Sequence, residues 1–574
     1  MRKVLIPVVL AGAVVVVMVI VAHRAAGPPA DLVWTAGPEV ATLDPAKMTS
    51  LQDGRVAAAL FEGLTVIDPR DLKPRPGVAD RWTISEDHRT YAFHLRPEAR
   101  WSDGRPVTAE DFAWSWRRVL TPATAADYAY MLYPIRGAEA FYRTRLARAG
   151  DPEKPETRET LARWPDLARL GDDEAWARVG IRVAGPHELV VALERPTAYF
   201  LDLAAFSTYL PVRRDAVERH GGRWTFPPNL ISNGAYRLAE WRFRSRMIWE
   251  KNPYYWNAAS VAIGRVELRA FEGLNTALMA YETGAVHLAA SVPGLAVEPL
   301  REAQAAGRRS DVQYAANFGT YFYRFNCTKP PLDDRRVRRA LVLGLERRPI
   351  IERAARGGQM PATVLVPPGL AGYRSPPGYR EDAAEARRLL AEAGYPGGAG
   401  LPELAILINT SADHQRVAEV IQEEWRALGL RVGIRNVEWK VFLDVTHDLQ
   451  YEVSRGSWYG DYVDPNTFLD LFVTGGGNNN TGWSNRRYDD LVARAADETA
   501  PAARMALFTE AEALLLDEAP IMPIYFYTST MLVHPRLEGV LPNLMNRIDF
   551  GALAWRPATA APLAACGGVE GRGP

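Results

Sequence analysis

The chain has 574 residues, 48% hydrophobic and 24% charged, an ordinary globular balance that suggests two to four domains at roughly 150 residues each. Lys+Arg and Asp+Glu both number 68, so the formal net charge is zero, which argues against a nucleic-acid partner. The two cysteines, Cys327 and Cys566, show no CxxC spacing, so a cysteine metal site is not expected, and no bond between them is predicted.

Arg2 and Lys3 precede an apolar run from Val4 to Ala22, closed by His23 and Arg24. At about 19 residues the run exceeds the ~7–15 of a cleaved signal core and approaches the ~20 that span a bilayer. No cysteine stands where a lipoprotein anchor needs one, and Arg24 occupies the place where a cleavage site wants a small residue. Residues 1–30 are read as a signal or anchor segment, with an uncleaved membrane helix preferred over cleavage and the rest exported.

From Asp31 the pattern is mixed α and β. Thr90 to Arg96 alternates, with Tyr91, Phe93 and Leu95 on one face, which predicts a strand. Ser102-Asp103-Gly104 reads as a turn. Thr108 with Asp111 has the spacing of a capping box opening a helix with Phe112, Trp116 and Val119. Residues 143–178, rich in Arg, Glu, Ala and Asp, read as a helical, solvated surface insertion without a site. A strand is expected over Glu188 to Leu193, and two more around Ala235–Leu238 and Met247–Glu250, separated by a longer loop. Helices are predicted over Asp334–Leu345, Glu381–Ala393 and His414–Leu428, the last two stopped by Gly394 and Gly429. A strand is expected over Arg431–Val437, helix over most of Tyr488–Leu516 with a break near Pro501, and an apolar strand over Ile521–Tyr527. The Ala-, Gly- and Pro-rich tail, 557–574, is expected to be disordered.

Catalytic motifs are missing: there is no GxSxG, HExxH, P-loop or GxGxxG. The nine histidines are scattered, with no helical i, i+4 pair of the kind a zinc site uses. Neither an enzyme, a metal site nor a cofactor is expected. The segment that stands out is Arg455-Gly456-Ser457-Trp458-Tyr459-Gly460-Asp461-Tyr462-Val463-Asp464. Glycine lets a ligand backbone approach closely. Extended residues can pair with a peptide as an added strand. A carboxylate can hold an ammonium, and an Arg a carboxylate. On these residues alone, a surface loop with a stacked Trp remains an equal alternative.

Asn409-Thr410-Ser411, Glu438-Trp439-Lys440 and Trp458–Asp461 together resemble the peptide/nickel-type (family 5) solute-binding proteins of ABC importers, and the oligopeptide binders most closely. Thr42-Leu43-Asp44-Pro45, Trp101-Ser102-Asp103-Gly104, Ser232-Asn233-Gly234-Ala235-Tyr236 and Lys329-Pro330-Pro331 agree in order, and the likeness covers roughly residues 33–550. The resemblance implies a two-lobed α/β periplasmic-binding-protein-like fold (type II) with an additional smaller domain and a two-strand hinge. The implied map is lobe I from 31–67, 200–315 and 526–556, the additional domain from 68–199, and lobe II from 316–525. The hinge is expected near Tyr321–Asn326 and Pro520–Tyr527.

The same likeness implies that Asp461 holds a peptide's α-ammonium and that the backbone at Ser457 and Tyr459 pairs with the peptide beside Trp458. Arg455, His414 and, more remotely, Lys329 would meet the C-terminal carboxylate. Two departures bear on peptide length: Thr446 stands where relatives can carry a second Arg, and Tyr459 where some carry a Cys. The implied partners are short peptides and the permease and ATPase of an ABC transporter, with the protein itself a monomer at the outer face of the cytoplasmic membrane. Alternatives within the fold are a nickel chelate, haem or oligosaccharide ligand, or a tethered sensor.

Overall fold

Two runs rich in aromatic and β-branched residues, VQYAANFGTYFYRF and IMPIYFYTSTMLV, dominate the architecture because both form long strands. The structure is a computed structural model and describes residues 28–557. The expected anchor, 1–30, falls almost wholly outside the described residues, as do Cys566 and all but the first residue of the expected disordered tail. Among the described residues no helix is long and apolar enough to cross a membrane.

In chain order the strands used below are β1 (Leu32–Gly37), β2 (Ala79–Ile84), β3 (Thr90–Leu95), β4 (Ile181–Gly185), β5 (Glu188–Ala192), β6 (Tyr236–Arg242), β7 (Arg246–Lys251), β8 (Arg265–Ala270) and β9 (Leu288–Ala289). They continue with β10 (Val312–Phe325), β11 (Leu404–Asn409), β12 (Val432–Val437), β13 (Val453–Tyr459) and β14 (Ile521–Val533). One eleven-stranded sheet has the order β12-β11-β13-β10-β14-β9-β1-β8-β7-β6, with Met360–Pro361 added beside β14. A separate antiparallel sheet has the order β2-β3-β5-β4.

Strands β10 and β14 sit in the middle of the large sheet and pair antiparallel over nearly their whole length. Val312 to Ala316 pair with Leu532 to Thr528, and Thr320 to Arg324 with Phe526 to Ile521. Between these stretches Asn317, Phe318 and Gly319 face only Tyr527, so the register breaks there. A bulge of this kind bends a strand and interrupts its ladder. The Phe318 N–H is satisfied elsewhere, by the Leu544 carbonyl at 2.8 Å. This break lies just upstream of the expected Tyr321–Asn326 crossing, a second register shift between Tyr321 and Phe322 falls inside it, and β14 runs on to Val533, well past Tyr527.

Separate cores pack on the two halves of this sheet. Leu32, Trp34, Trp249 and Phe550 belong to one. Tyr321, Tyr323, Val337, Leu390, Ile421 and Trp425 belong to another, under the helices α1 (Arg335–Leu343), α2 (Ala383–Glu392) and α3 (Ala412–Ala427). The opposite face of β10 and β13 is covered by Phe318, Phe322, Phe468, Phe472 and Tyr488. A further core, with Phe93, Trp116 and Val191, fills the β2-β3-β5-β4 sheet.

Locally the predicted elements mostly stand. Tyr91, Phe93 and Leu95 are buried as the alternation requires. Asp111 accepts from both the backbone N–H (2.8 Å) and the hydroxyl (3.0 Å) of Thr108, so the box is closed by the carboxylate. Helices fill most of 143–178, through Pro155–Arg163, Pro165–Arg169 and Asp172–Trp176. The loop expected between the two strands after Asn233 is short: β6 and β7 extend inward until only Phe243-Arg244-Ser245 separates them.

Candidate functional site

Strand β13 has two unlike edges. Along one, it is paired to β10 throughout, with Tyr323 opposite Arg455, Tyr321 opposite Ser457 and Gly319 opposite Tyr459. Along the other, β11 pairs only with Val453 and Ser454. From Arg455 to Tyr459 that second edge carries no strand partner among the described residues. Unpaired backbone N–H and C=O groups in an extended row are a template for another strand.

Alternation places Arg455, Ser457 and Tyr459 on one face and Ser454, Gly456 and Trp458 on the other. Trp458 therefore turns away from Arg455, packs beside the Phe318–Phe322 core and donates its Nε1–H to Thr467 Oγ1 at 3.3 Å. The glycines serve that same core rather than a ligand backbone. A Cβ on Gly456 would lie 2.8 Å from the Phe322 ring, and one on Gly460 would lie 2.3 Å from the Phe318 ring.

Arg455 is buried, donating from Nε to Asn409 Oδ1 at 2.7 Å and from Nη1 to Ser457 Oγ at 3.1 Å. Its guanidinium lies 5.4 Å from the Phe442 ring centroid and 5.7 Å from that of Trp439, both on α4 (Trp439–His447). No carboxylate among the described residues forms an ion pair with it. His414 stands in the first turn of α3, its Nδ1 3.2 Å from the Tyr321 hydroxyl. Burial, followed by the nearby charge of Arg455, pushes the imidazole down to about 4, so it is neutral at pH 7. Thr446 is buried and donates its hydroxyl to the Phe442 carbonyl at 2.9 Å, so that position supplies no cation.

Asp461 follows Gly460 at the other end of the strand. Its N–H donates to Thr467 Oγ1 at 3.2 Å. Burial pushes its carboxyl up to about 7, opposed by a hydrogen bond from the Tyr128 hydroxyl. Among the described residues no Lys, Arg or His pairs with it. Asp464 differs: Arg504 binds it through two contacts of 2.5 and 2.9 Å, and both side chains are buried.

Lys329 lies in the turn after β10, beyond the Phe325–Val453 pair, at the end of the strand pair remote from Asp461. The fold thus gathers Arg455, Ser457, Tyr459 and His414 on one surface, with Asp461 at one end. It sets Trp458 on the reverse face and Lys329 outside the gathered group. Sequence reasoning missed Tyr128 and Tyr321 as members of the site, as well as the Asn409 amide. The dense tyrosines of Asp127–Tyr133 were the available signal for the first. A separate cavity of about 470 Å³, bordered by Thr42, Lys47 and Trp224, contains none of these residues, and its Asp44 and Arg118 are already paired with each other.

Chemically, this is an open strand edge with a carboxylate at one end and a guanidinium toward the other, neither with a counter-ion among the described residues. Residues 73–480 match the family described as bacterial extracellular solute-binding proteins, family 5 Middle. The chain is 33% identical over 512 residues to the oligopeptide-binding protein OppA of Bacillus subtilis, covering 87% of this chain and 88% of that one. It is 34% identical over 518 residues to the periplasmic oligopeptide-binding protein OppA of Escherichia coli, covering 88% and 89%. The Haemophilus influenzae OppA complex with RPPGFSPFR superposes with a TM-score of 0.71 at 29% identity, covering 91% of this chain and 98% of that one. The match of the family over most of the chain, the extent of these relatives and the shared fold place this chain among the bacterial extracellular solute-binding proteins of family 5.

Proposed function

We propose that this protein captures short peptides by their backbone and termini and delivers them to the permease of an ABC importer. The observation that carries the reading is the free edge of β13 between Arg455 and Tyr459, with Asp461 past one end. A peptide laid on that edge gains main-chain hydrogen bonds that do not depend on its sequence. Asp461 receives the α-ammonium, the counter-ion its surroundings withhold. Arg455 receives the C-terminal carboxylate, with His414 donating as a neutral imidazole and Lys329 reserved for longer ligands. The ligand then runs antiparallel to β13.

The spacing suits such a ligand. Asp461 lies six positions past Arg455, about 20 Å of extended chain at ~3.3 Å per residue. Allowing for side-chain reach, three to five peptide residues fill the gap. The relatives named for oligopeptide binding support the same ligand class. The protein acts by binding rather than catalysis.

For the moving parts we propose the division implied by the resemblance: lobe I, the additional domain over 68–199, and lobe II over 316–525. The separate cores and the register break between β10 and β14 support it. Asp461 then belongs to lobe II and Tyr128 to the additional domain, so the ammonium site forms where the two meet. Tyr199 stacks on Tyr462 there, with ring centroids 4.1 Å apart. We further propose that Val4–Ala22 tethers the exported protein, which alkaline extraction of membranes would test.

Native mass spectrometry of the protein as purified tests the ligand class. Co-purified masses of tri- to pentapeptides are expected. A metal chelate, haem or oligosaccharide in their place would overturn the peptide reading.

A further inference from the structure

We propose that the side chain of Tyr459, backed by Tyr527, is a platform that favours an aromatic residue at one of the first two positions of the bound peptide. The proposal rests on the peptide reading above and adds a side-chain preference to a site otherwise built from backbone and termini.

Tyr459 closes β13 on the face shared by Ser457 and Arg455, and its residue surface is 52% exposed. One side of the ring is covered: it stacks on Tyr527 with centroids 4.5 Å apart and planes at 25°. Gly319, its cross-strand partner, leaves the space the ring occupies. A Cβ at 319 would lie 2.7 Å from Cδ1 and 2.9 Å from Cε1 of Tyr459. The glycine is thus required by the ring and lies inside the register break, where Tyr527 alone faces Asn317, Phe318 and Gly319.

Tyr527 is itself fixed. Its hydroxyl interacts with that of Ser457. Its ring meets Tyr525 edge-on at 5.4 Å and Tyr321 at 6.3 Å, and those two stack on each other at 4.7 Å. Tyr459 therefore ends a braced row of aromatic rings and presents its other side outward. A large aromatic side chain held rigid and left exposed beside a ligand-binding edge has already met the ordering cost that binding imposes.

The ligand geometry decides what meets that surface. When a strand is added at an edge, residues directly opposite have Cβ atoms about 4.5–5.5 Å apart on the same face. The ligand's amine lies at Asp461, two residues beyond Tyr459, so the side chain that meets the ring belongs to the first or second peptide residue. Offset or edge-on contact between aromatic rings is the favoured partner for such a surface.

The test measures calorimetric dissociation constants for Ala-Ala-Ala, Phe-Ala-Ala, Ala-Phe-Ala and Ala-Ala-Phe. The wild-type protein is expected to bind one of the first two phenylalanine peptides about threefold to tenfold more tightly than Ala-Ala-Ala. In Tyr459→Ala that ratio should fall to about one, whereas Tyr459→Phe should retain it. Gly319→Ala, which displaces the ring, should also lower it. A ratio of one at both positions in the wild type, or a ratio unchanged in Tyr459→Ala, would overturn the platform while leaving peptide binding in place. Failure of all four tripeptides to bind would overturn the peptide reading itself, and the platform with it.

Discussion

Asp461 and Asp464 lie three residues apart in one segment, yet their carboxylates have opposite surroundings: Arg504 neutralises Asp464 through two contacts, while Asp461 lies beside the hydroxyls of Tyr128 and Tyr130 and, among the described residues, meets no cation. A buried charge with its partner in place is a structural element. A half-buried carboxylate left without a cation is poised for a ligand that brings one.

Replacing Asp461 with Asn should weaken binding of a free-amine tripeptide at least tenfold in calorimetry. N-acetylating the peptide should cost the wild-type protein about as much and the variant little. Unchanged affinity in the variant would remove Asp461 from the site.

The raised pKa of Asp461 gives binding a definite pH dependence. In the free protein the carboxyl titrates at about 7, and an ammonium beside it favours the charged form. Below pH 7 binding must therefore release a proton, and affinity should fall about tenfold per pH unit as pH decreases. Calorimetry in two buffers of different ionisation enthalpy should report close to one proton released at pH 6 and net uptake near pH 8, where the peptide's own α-amine, with a pKa of about 8, must gain a proton to bind as the ammonium.

The same shift has a stability consequence of the opposite sense. With its folded pKa above the unfolded value, Asp461 binds more protons folded than unfolded between about pH 4 and 7, so its contribution falls as pH rises through that window. Asp461→Asn should therefore raise the melting temperature of the ligand-free protein at pH 8 by on the order of a few degrees. Differential scanning fluorimetry from pH 4 to pH 8 would check it, the gain shrinking at pH 5 and vanishing below about pH 4 if the sign is right.

Arg504→Met should leave Asp464 buried and uncompensated. Loss of one partner of such a pair typically costs about 3–5 kcal/mol. Urea titration should show the destabilisation, and any variant that folds should bind peptides with nearly wild-type affinity, which separates the structural carboxylate from the functional one.

At the carboxylate end, Arg455→Gln should weaken a free-acid tripeptide by tenfold or more and its C-terminal amide far less. His414→Gln should leave the pH profile between 6 and 8 unchanged, because the imidazole is already neutral there. A shifted profile in competition binding would show that His414 titrates in the working range.

By itself the sequence determined the class of fold and the approximate course of its elements. Alternation at Tyr91, Phe93 and Leu95, the capping box of Thr108 and Asp111, and the glycine stops at Gly394 and Gly429 are local signals, and they act locally. The ordered motifs also marked Arg455–Asp461 as unusual. Which face each residue of that segment would use was not legible, because it depends on how β13 pairs with β10 and on which core covers the reverse side. Trp458 and the two glycines went to the Phe318–Phe322 core on that account.

Only the tertiary structure decided that β11 leaves β13 after Ser454, that Arg504 comes to Asp464 and not to Asp461, and that Tyr527 braces Tyr459. Each brings together residues far apart in the chain, and no local propensity encodes such a meeting. The extended segment with one acid and one base was visible in the residues. Its becoming an open edge between two charges without counter-ions is a product of the fold.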